Sequence, residues 1–267
     1  MRQFLKSILR YRGLLLTLTS RELKARYRGS ILGYLWSLVN PILLLLVYAF
    51  VFGTIFDPRD PNVKPYALFL ACGVFPWLWL STAWVEGTST LTANAGLIRK
   101  AVFPAHLLPV VSVLANLVHF TFALPVIAGG IAYFRAEGHA VGGWSGFQAP
   151  LIVLIQLPMV IGLTLAFSAL NVHFKDTKDI LNNLLTLMFF MTPILYSLKT
   201  LEGFSAVHWF VAHNPLTPFV EGYQQTLFYG QFLSPGAWLE LGIIALLFFW
   251  VGAELFDRLA DTLVEAV

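Results

Sequence analysis

Arg21-Glu-Leu-Lys-Ala-Arg-Tyr-Arg28 leads through Gly29 into Ser30-Ile-Leu-Gly-Tyr-Leu-Trp-Ser-Leu-Val-Asn-Pro-Ile-Leu-Leu-Leu-Leu-Val-Tyr-Ala-Phe-Val-Phe-Gly-Thr-Ile-Phe56, and no side chain from Ser30 to Phe56 is charged. As a helix that run is about 40 Å long, enough to cross a hydrocarbon layer of roughly 30 Å with some tilt. The cations just before it cannot enter hydrocarbon cheaply, and the positive-inside rule puts them on the cytoplasmic side. The first crossing therefore leaves the cytoplasm, and the topology is read outward from there.

Composition agrees. Hydrophobic residues make up 58% of the chain, charged residues 12%, and mean hydropathy is +0.74. A soluble domain carries roughly 25% charge. The 267 residues are read as one integral membrane domain of all-α class, with no room for a soluble catalytic domain. A single cysteine, Cys72, excludes an intrachain disulfide and any cysteine-based metal cluster. Cations are spread through residues 1–30 with no apolar core and small-residue cleavage site, so no cleavable signal is expected there.

Further apolar runs follow. The expected spans are 31–56, 66–85, 107–134, 151–172, 180–198 and 238–256, the last weakened by Glu240 and Glu254 near its ends. Six crossings leave both termini in the cytoplasm. The loops then assigned to the outside hold Arg59, Lys64, Arg135 and Lys199, and the rest of the 17 Lys and Arg fall inside, which supports an even number of crossings. Residues 1–30 read as an interfacial amphipathic helix. Phe4, Ile8, Tyr11, Leu15 and Leu18 share one face and Arg2, Lys6 and Arg10 the other, a pattern suited to anionic lipid. Gly13 is a candidate bend. Residues 203–235 contain Pro215, Pro218 and Glu221, which interrupt every candidate span. They are expected to form short re-entrant helices in the outer leaflet, since broken backbone at membrane depth must be covered by protein or water.

Several chemistries are missing from the sequence. It contains no Gly-x-x-x-x-Gly-Lys-Ser/Thr loop, no His-Glu-x-x-His and no Gly-x-Ser-x-Gly. No acidic residue sits at the centre of a span, which argues against a transporter driven by titrating carboxylates. His119 stands alone in the third span and is read as a neutral histidine hydrogen-bonded within the bundle. Asp176 and Asp179 are read as a turn paired with Lys175 and Lys178. Glu86, at the inner end of the second span, fits either a salt bridge to one of the cations between Arg21 and Arg28 or exposure among headgroups.

Three stretches carry a resemblance. Arg21 through Pro41, with Val47-Tyr-Ala-Phe-Val-Phe52 after it, resembles the opening of the type-2 ABC exporter permeases, and among them those that export O-antigen, capsule or teichoic-acid polymers. Asn94-Ala-Gly-Leu-Ile-Arg-Lys-Ala-Val-Phe-Pro-Ala-His-Leu-Leu-Pro109 is similar to the family's inner segment between spans two and three. Asn214-Pro-Leu-Thr-Pro218 with Glu221-Gly-Tyr is similar to its outer re-entrant region.

The resemblance implies a transmembrane subunit in the cytoplasmic membrane that pairs with a second copy of itself and with two copies of a separate ATP-binding subunit. ATP and Mg would reside on that partner, with no cofactor, metal or catalytic residue on this chain and no nucleic acid. It implies a coupling helix at 94–106, with Arg99 and Lys100 reaching acidic groups of the partner, Ile98, Val102 and Phe103 as apolar anchors, and Pro104 as its stop. The cargo would be a lipid-linked polysaccharide. Arg21, Lys24, Arg26 and Arg28 are candidates for its pyrophosphate linker, because guanidinium forks match phosphate oxygens. Aromatic faces hold sugar rings without fixed register, and Trp36, Tyr48, Phe52, Trp77, Trp79 and Trp84 are the candidates; a membrane belt is the plainer reading of each. The rival readings are the same architecture with a drug or lipid cargo, a membrane enzyme acting on lipid-linked sugars, and an ion channel.

Overall fold

A computed structural model describes residues 2–51, 63–100, 104–201 and 203–266 of the chain, and among them it holds helices and turns but no strand. Five helical stretches are long and apolar enough to cross a membrane: Gly33–Phe50, Tyr66–Thr88, Leu107–Ala136, Trp144–His173 and Pro235–Ala260.

The N-terminal amphipathic stretch folds as two helices, α1 (Arg2–Arg10) and α2 (Arg12–Arg26). The break falls at Tyr11, just ahead of Gly13. Ile8, Tyr11, Leu15 and Leu18 pack on the chain's own core at one end of the bundle, against Leu107, Leu165, Phe249 and Phe256. The apolar face thus meets protein, and Leu15 is buried. A three-residue 3₁₀ lead-in at Gly33–Leu35 opens α3 (Trp36–Phe50), which packs on later helices along one side only. Residues 52–56 of the expected first span lie outside the described residues.

Helix α4 (Tyr66–Thr88) is the most enclosed of the long helices and forms the centre of the main core. Two short helices follow, α5 (Thr90–Ala93) and α6 (Ala95–Lys100). Then come α7 (Leu107–Ala136) and α8 (Ala149–His173), which extend the expected spans by a few residues at their ends. Each of α3, α4, α7 and α8 carries an internal proline. Such breaks are tolerated where neighbouring helices satisfy the freed backbone groups.

The run 180–198 does not form one long helix. Helix α9 (Thr177–Phe190) stops after 14 residues, about 21 Å, and the backbone turns through 191–197. Pro193 ends the regular hydrogen bonding. The freed carbonyls are taken by distant side chains: Gln224 donates to Pro193 O at 2.9 Å and Asn214 to Met191 O at 3.0 Å. The whole segment nonetheless runs alongside α4. Lys178 shares a cavity with Glu86 near the end of α4, and Leu195 O accepts from the Tyr66 hydroxyl at its start.

Residues 203–235 supply α10 (Ser205–Ala212), α11 (Thr217–Tyr223) and a π turn over Gln224–Phe228. The chain closes with α12 (Pro235–Ala266), longer than the expected span. Helices α8 and α12 form the most extensive helix pair of the bundle, running in the same direction, with Gly162 against Gly252 at their crossing. At the far end, Leu233 N donates to Gln148 Oε1 at 3.0 Å and Gly142 N to Phe228 O at 2.7 Å. Gly142 and Gly230 pack backbone on backbone there, both at positive φ, where a side chain would be strained.

Asp176 and Asp179 are exposed at the start of α9 and form no ion pair among the described residues. The expected self-paired turn is therefore corrected. The positive end of the helix favours carboxylates there without help from Lys175 or Lys178.

Candidate functional site

The end of the bundle that carries α1 and α2 also carries a charged node. Arg26 is the last residue of α2, Glu86 lies in the last turn of α4, and Asn116 sits on α7. The Arg26 guanidinium pairs with the Glu86 carboxylate and donates to Asn116 Oδ1 at 3.2 Å, while Asn116 Nδ2 donates to Glu86 Oε2 at 2.6 Å. Three helices are tied through one carboxylate. Of the two readings open for Glu86, the salt bridge is the observed one, and Arg26 is the cation.

His119 lies three residues beyond Asn116 on the same face of α7. Its Nδ1 sits 3.0 Å from Tyr27 Oη and 2.8 Å from Ser37 Oγ, and those two hydroxyls are 2.6 Å apart. The expectation of a hydrogen-bonded histidine is met. The cluster pins the elbow between α2 and α3 to α7.

Three cavities meet at Glu86. One, of about 370 Å³, is lined by Arg26, Tyr27, Ser37, Asn40, Trp79 and His119 among others. A second, of about 420 Å³, includes Arg21, Arg26, Ser89, Asn94, Ser112 and Lys178. A third, of about 530 Å³, includes Trp77, Thr82, Asn182 and Thr186. Trp79 Nε1, His119 Nε2 and Ser112 Oγ, all on the first two cavities, are buried and find no acceptor or donor within the described residues. The second cavity gathers Arg21, Arg26 and Lys178 against Glu22 and Glu86, an excess of positive charge beside hydroxyl and amide groups. Such a set can hold an anionic oxygen group.

Arg21 and Arg26 thus come together on this cavity, with Lys178, which the sequence did not single out. Lys24 and Arg28 are exposed and line none of these cavities. Sequence reading also missed Asn116, Tyr27 and Ser37. Asn116 with His119 at helical spacing in an apolar span was the available signal, because polar groups at that depth are costly.

In the inner segment, Ile98 turns inward. It is buried against Leu15, Leu91, Leu107 and Leu108, so it anchors α6 to its own bundle and leaves no face for a partner. This corrects its assignment as an outward anchor. Arg99 and Leu97 are exposed, and Pro104 is partly exposed. Val102 and Phe103 lie outside the described residues, as does the Lys100 side chain. Replacing Ile98 by alanine is expected to cost about 3 kcal/mol of stability, as for other buried aliphatics. Thermal unfolding of the detergent-solubilised chain checks it.

The aromatic candidates separate. Trp36 is exposed at the start of α3 and Tyr48 is partly buried. Trp79 lies flat on Phe120, with centroids 5.3 Å apart and planes at 4°, and Trp77 meets Phe189 edge-on. Both are buried yet border cavities. Trp84 is enclosed and donates to Val160 O at 3.3 Å, so it is a packing residue with no open face. Phe52 lies outside the described residues.

His106, just before α7, is 2.8 Å from Ser7 Oγ and lies edge-on to Phe256. Burial pushes its pKa down, opposed by Asp257. A folded-state pKa below the unfolded one means that the unfolded chain binds more protons as pH falls. His106 therefore contributes stability that is intact above its ordinary value of 6.5 and is lost as pH falls through the depressed one. Melting temperature is expected to drop on acidification over that window, and less steeply in His106→Gln.

The family described as ABC-2 type transporter matches residues 13–228 of the chain. A protein of Myxococcus xanthus named O-antigen export system permease protein RfbA is 35% identical over 99% of this chain and 99% of its own length. A protein of the same name from Klebsiella pneumoniae is 33% identical over 94% of each. The polysialic acid transport protein KpsM of Escherichia coli is 24% identical over 92% of this chain and 93% of its own.

Proposed function

The chain belongs to the ABC-2 type transporter family, and from that premise we propose that it is the transmembrane subunit of an ATP-driven exporter of a lipid-linked polysaccharide of O-antigen type. It is a multi-pass membrane protein of a transport family, not a catalytic one. The observation that carries the cargo is the full-length likeness to proteins named as O-antigen export permeases. A teichoic acid, lipid or drug cargo is the second reading of the same architecture.

In this reading a second copy completes the path, and two separate subunits bind ATP with Mg. The energy reaches this chain through 94–106. Arg99 and Leu97 face outward to the partner. Ile98 faces inward, so a push on α6 moves the packed end of the bundle that includes α1 and α2. The substitutions Arg99→Glu with Leu97→Asp are expected to cut copurification of the ATP-binding subunit at least about tenfold, since a hot-spot pair is worth 2 kcal/mol or more. Melting temperature should hold. A partner retained in full by this variant would remove 94–106 from the interface.

The segment 177–197, which covers most of the expected span 180–198, is the fifth of six crossings, a broken one, and both termini are cytoplasmic. Its course along the whole of α4 supports this, as does the contact of Leu233 with Gln148 at the end where α8 begins. Residues 203–235 then lie at the outer face as re-entrant helices. The cavity holding Arg21, Arg26 and Lys178 lies at the inner end, where a pyrophosphate linker would arrive. Lys24 and Arg28 are exposed next to it and serve first encounter.

The test is a deletion of the coding sequence in its own host. Surface polysaccharide should disappear while lipid-linked polymer accumulates inside, and the wild-type chain should restore both. A deletion strain with normal surface polymer would overturn the reading.

A further inference from the structure

At the end of the bundle away from α1 and α2, the turn after α9 and the π turn after α11 enclose a small cavity of about 120 Å³. It is lined by Lys199, Glu221, Gln224, Gln225, Tyr229 and Gln231, with Ser197 and Leu198 beside them. We infer that this cavity is a subsite for the hydroxyl groups of one sugar residue, held by Glu221, Gln225 and Gln231.

The site is built, not accidental. Gln224 is 3% exposed, and its amide is spent on Pro193 O at 2.9 Å, which fixes the turn after α9 to the π turn. Within the π turn and its exit, Tyr229 N donates to Gln224 O at 3.0 Å and Gln231 N to Gln225 O at 2.9 Å. The backbone is therefore settled by its own bonds. A π turn is a local irregularity that recurs at functional sites.

What remains over is side-chain capacity. The Glu221 carboxylate, the Gln225 and Gln231 amides and the Lys199 ammonium make no hydrogen bond or ion pair among the described residues. A carboxylate accepts from two hydroxyls, and an amide both donates and accepts. That mixed set suits neighbouring hydroxyls, each of which is donor and acceptor at once. It does not suit a metal ion, for no group of three or more ligating side chains exists among the described residues. Nor does it suit an anion, since the lining holds one ammonium and one carboxylate and so carries no net positive charge. At about 30 Å³ per water the space takes a few waters or the hydroxyl-bearing edge of a ring.

The inference rests on the polysaccharide reading and gives it an exit contact. The experiment uses the chain with its ATP-binding partner in lipid nanodiscs. The probe is the oligosaccharide mixture released by mild acid from the host's own surface polymer, followed by saturation-transfer NMR. Wild type should transfer saturation to sugar ring protons, and the E221A/Q225A variant should weaken that binding about tenfold, as for loss of two polar contacts one of which is charged. The milder K199A/Q231A pair at the cavity rim, where folding is least disturbed, should weaken it about threefold. Undiminished transfer in both variants would overturn the subsite. Complementation of the deletion strain separates the two failures: restored surface polymer with undiminished transfer sinks the subsite alone, and no restoration by wild type sinks the export reading beneath it.

Discussion

Gly252→Ala should be among the most destabilising single substitutions in this chain, lowering stability by about 3 kcal/mol or more. A Cβ on Gly252 would lie 1.9 Å from Gly162 O and 2.2 Å from Gly162 C, and a Cβ on Gly162 would lie 2.4 Å from Phe249 Cα. These are backbone atoms on the facing helix, so no rotamer change relieves the clash. The helices must separate. In lipid no hydrophobic force pulls helices together, and their association depends on close packing and interhelical hydrogen bonds. Separation at Gly162 would therefore loosen the seam that buries Leu165, Leu241, Ala245, Phe249 and Ala253. Gly242→Ala, on the same helix with nothing within 4 Å of the added carbon, is the control. It should be neutral or slightly stabilising, as alanine for glycine is in an open helix position. Thermal unfolding followed by tryptophan fluorescence decides between them; equal melting temperatures for Gly252→Ala and wild type would mean the seam is not packed this way.

Much of the fold could be read from the sequence because the bilayer asks one question of every segment, whether its apolar length suffices. Five of the expected spans contain helices of that kind. The run 180–198 passes the same test and still breaks. Pro193 was in view, but Pro41, Pro76, Pro125 and Pro158 sit inside helices that continue, so proline alone did not mark the break. What allows it is remote: Gln224 and Asn214 accept the burden of the freed carbonyls. Composition cannot show which distant amide arrives. The same holds for Ile98. Its spacing fits an exposed anchor as well as a buried one, and only the packing of α2 over α6 and α7 decides. The node at Glu86 was half legible. A lone acid at a span end facing four nearby cations invited a pair, but the choice of Arg26 depends on where α2 ends.

That choice supports the last prediction. Arg26→Ala is expected to lower stability by about 2 kcal/mol, and Glu86→Ala by a similar amount, with the double substitution losing clearly less than the sum. The side chains are 23% and 42% exposed, so neither the full cost of a buried pair nor the near-zero value of a surface pair applies. Two hydrogen bonds through Asn116 raise it above the surface value. Arg26→Lys keeps charge but loses the fork that reaches Glu86 and Asn116 at once, and it should fall between wild type and Arg26→Ala. The functional effect should exceed the structural one. Glu86 stands one short helix before α6, and Arg26 is the last residue of α2, so the node lies between the segment assigned to the ATP-binding partner and the elbow that leads into α3. Breaking it should leave hydrolysis by the assembled complex nearly unchanged while surface polymer falls about tenfold or more, the consequence of removing a coupling of 1–3 kcal/mol. Hydrolysis and export falling together would instead mean that the node only holds the bundle in shape. Export unchanged in Arg26→Ala would show that motion at α6 does not travel through Glu86 at all.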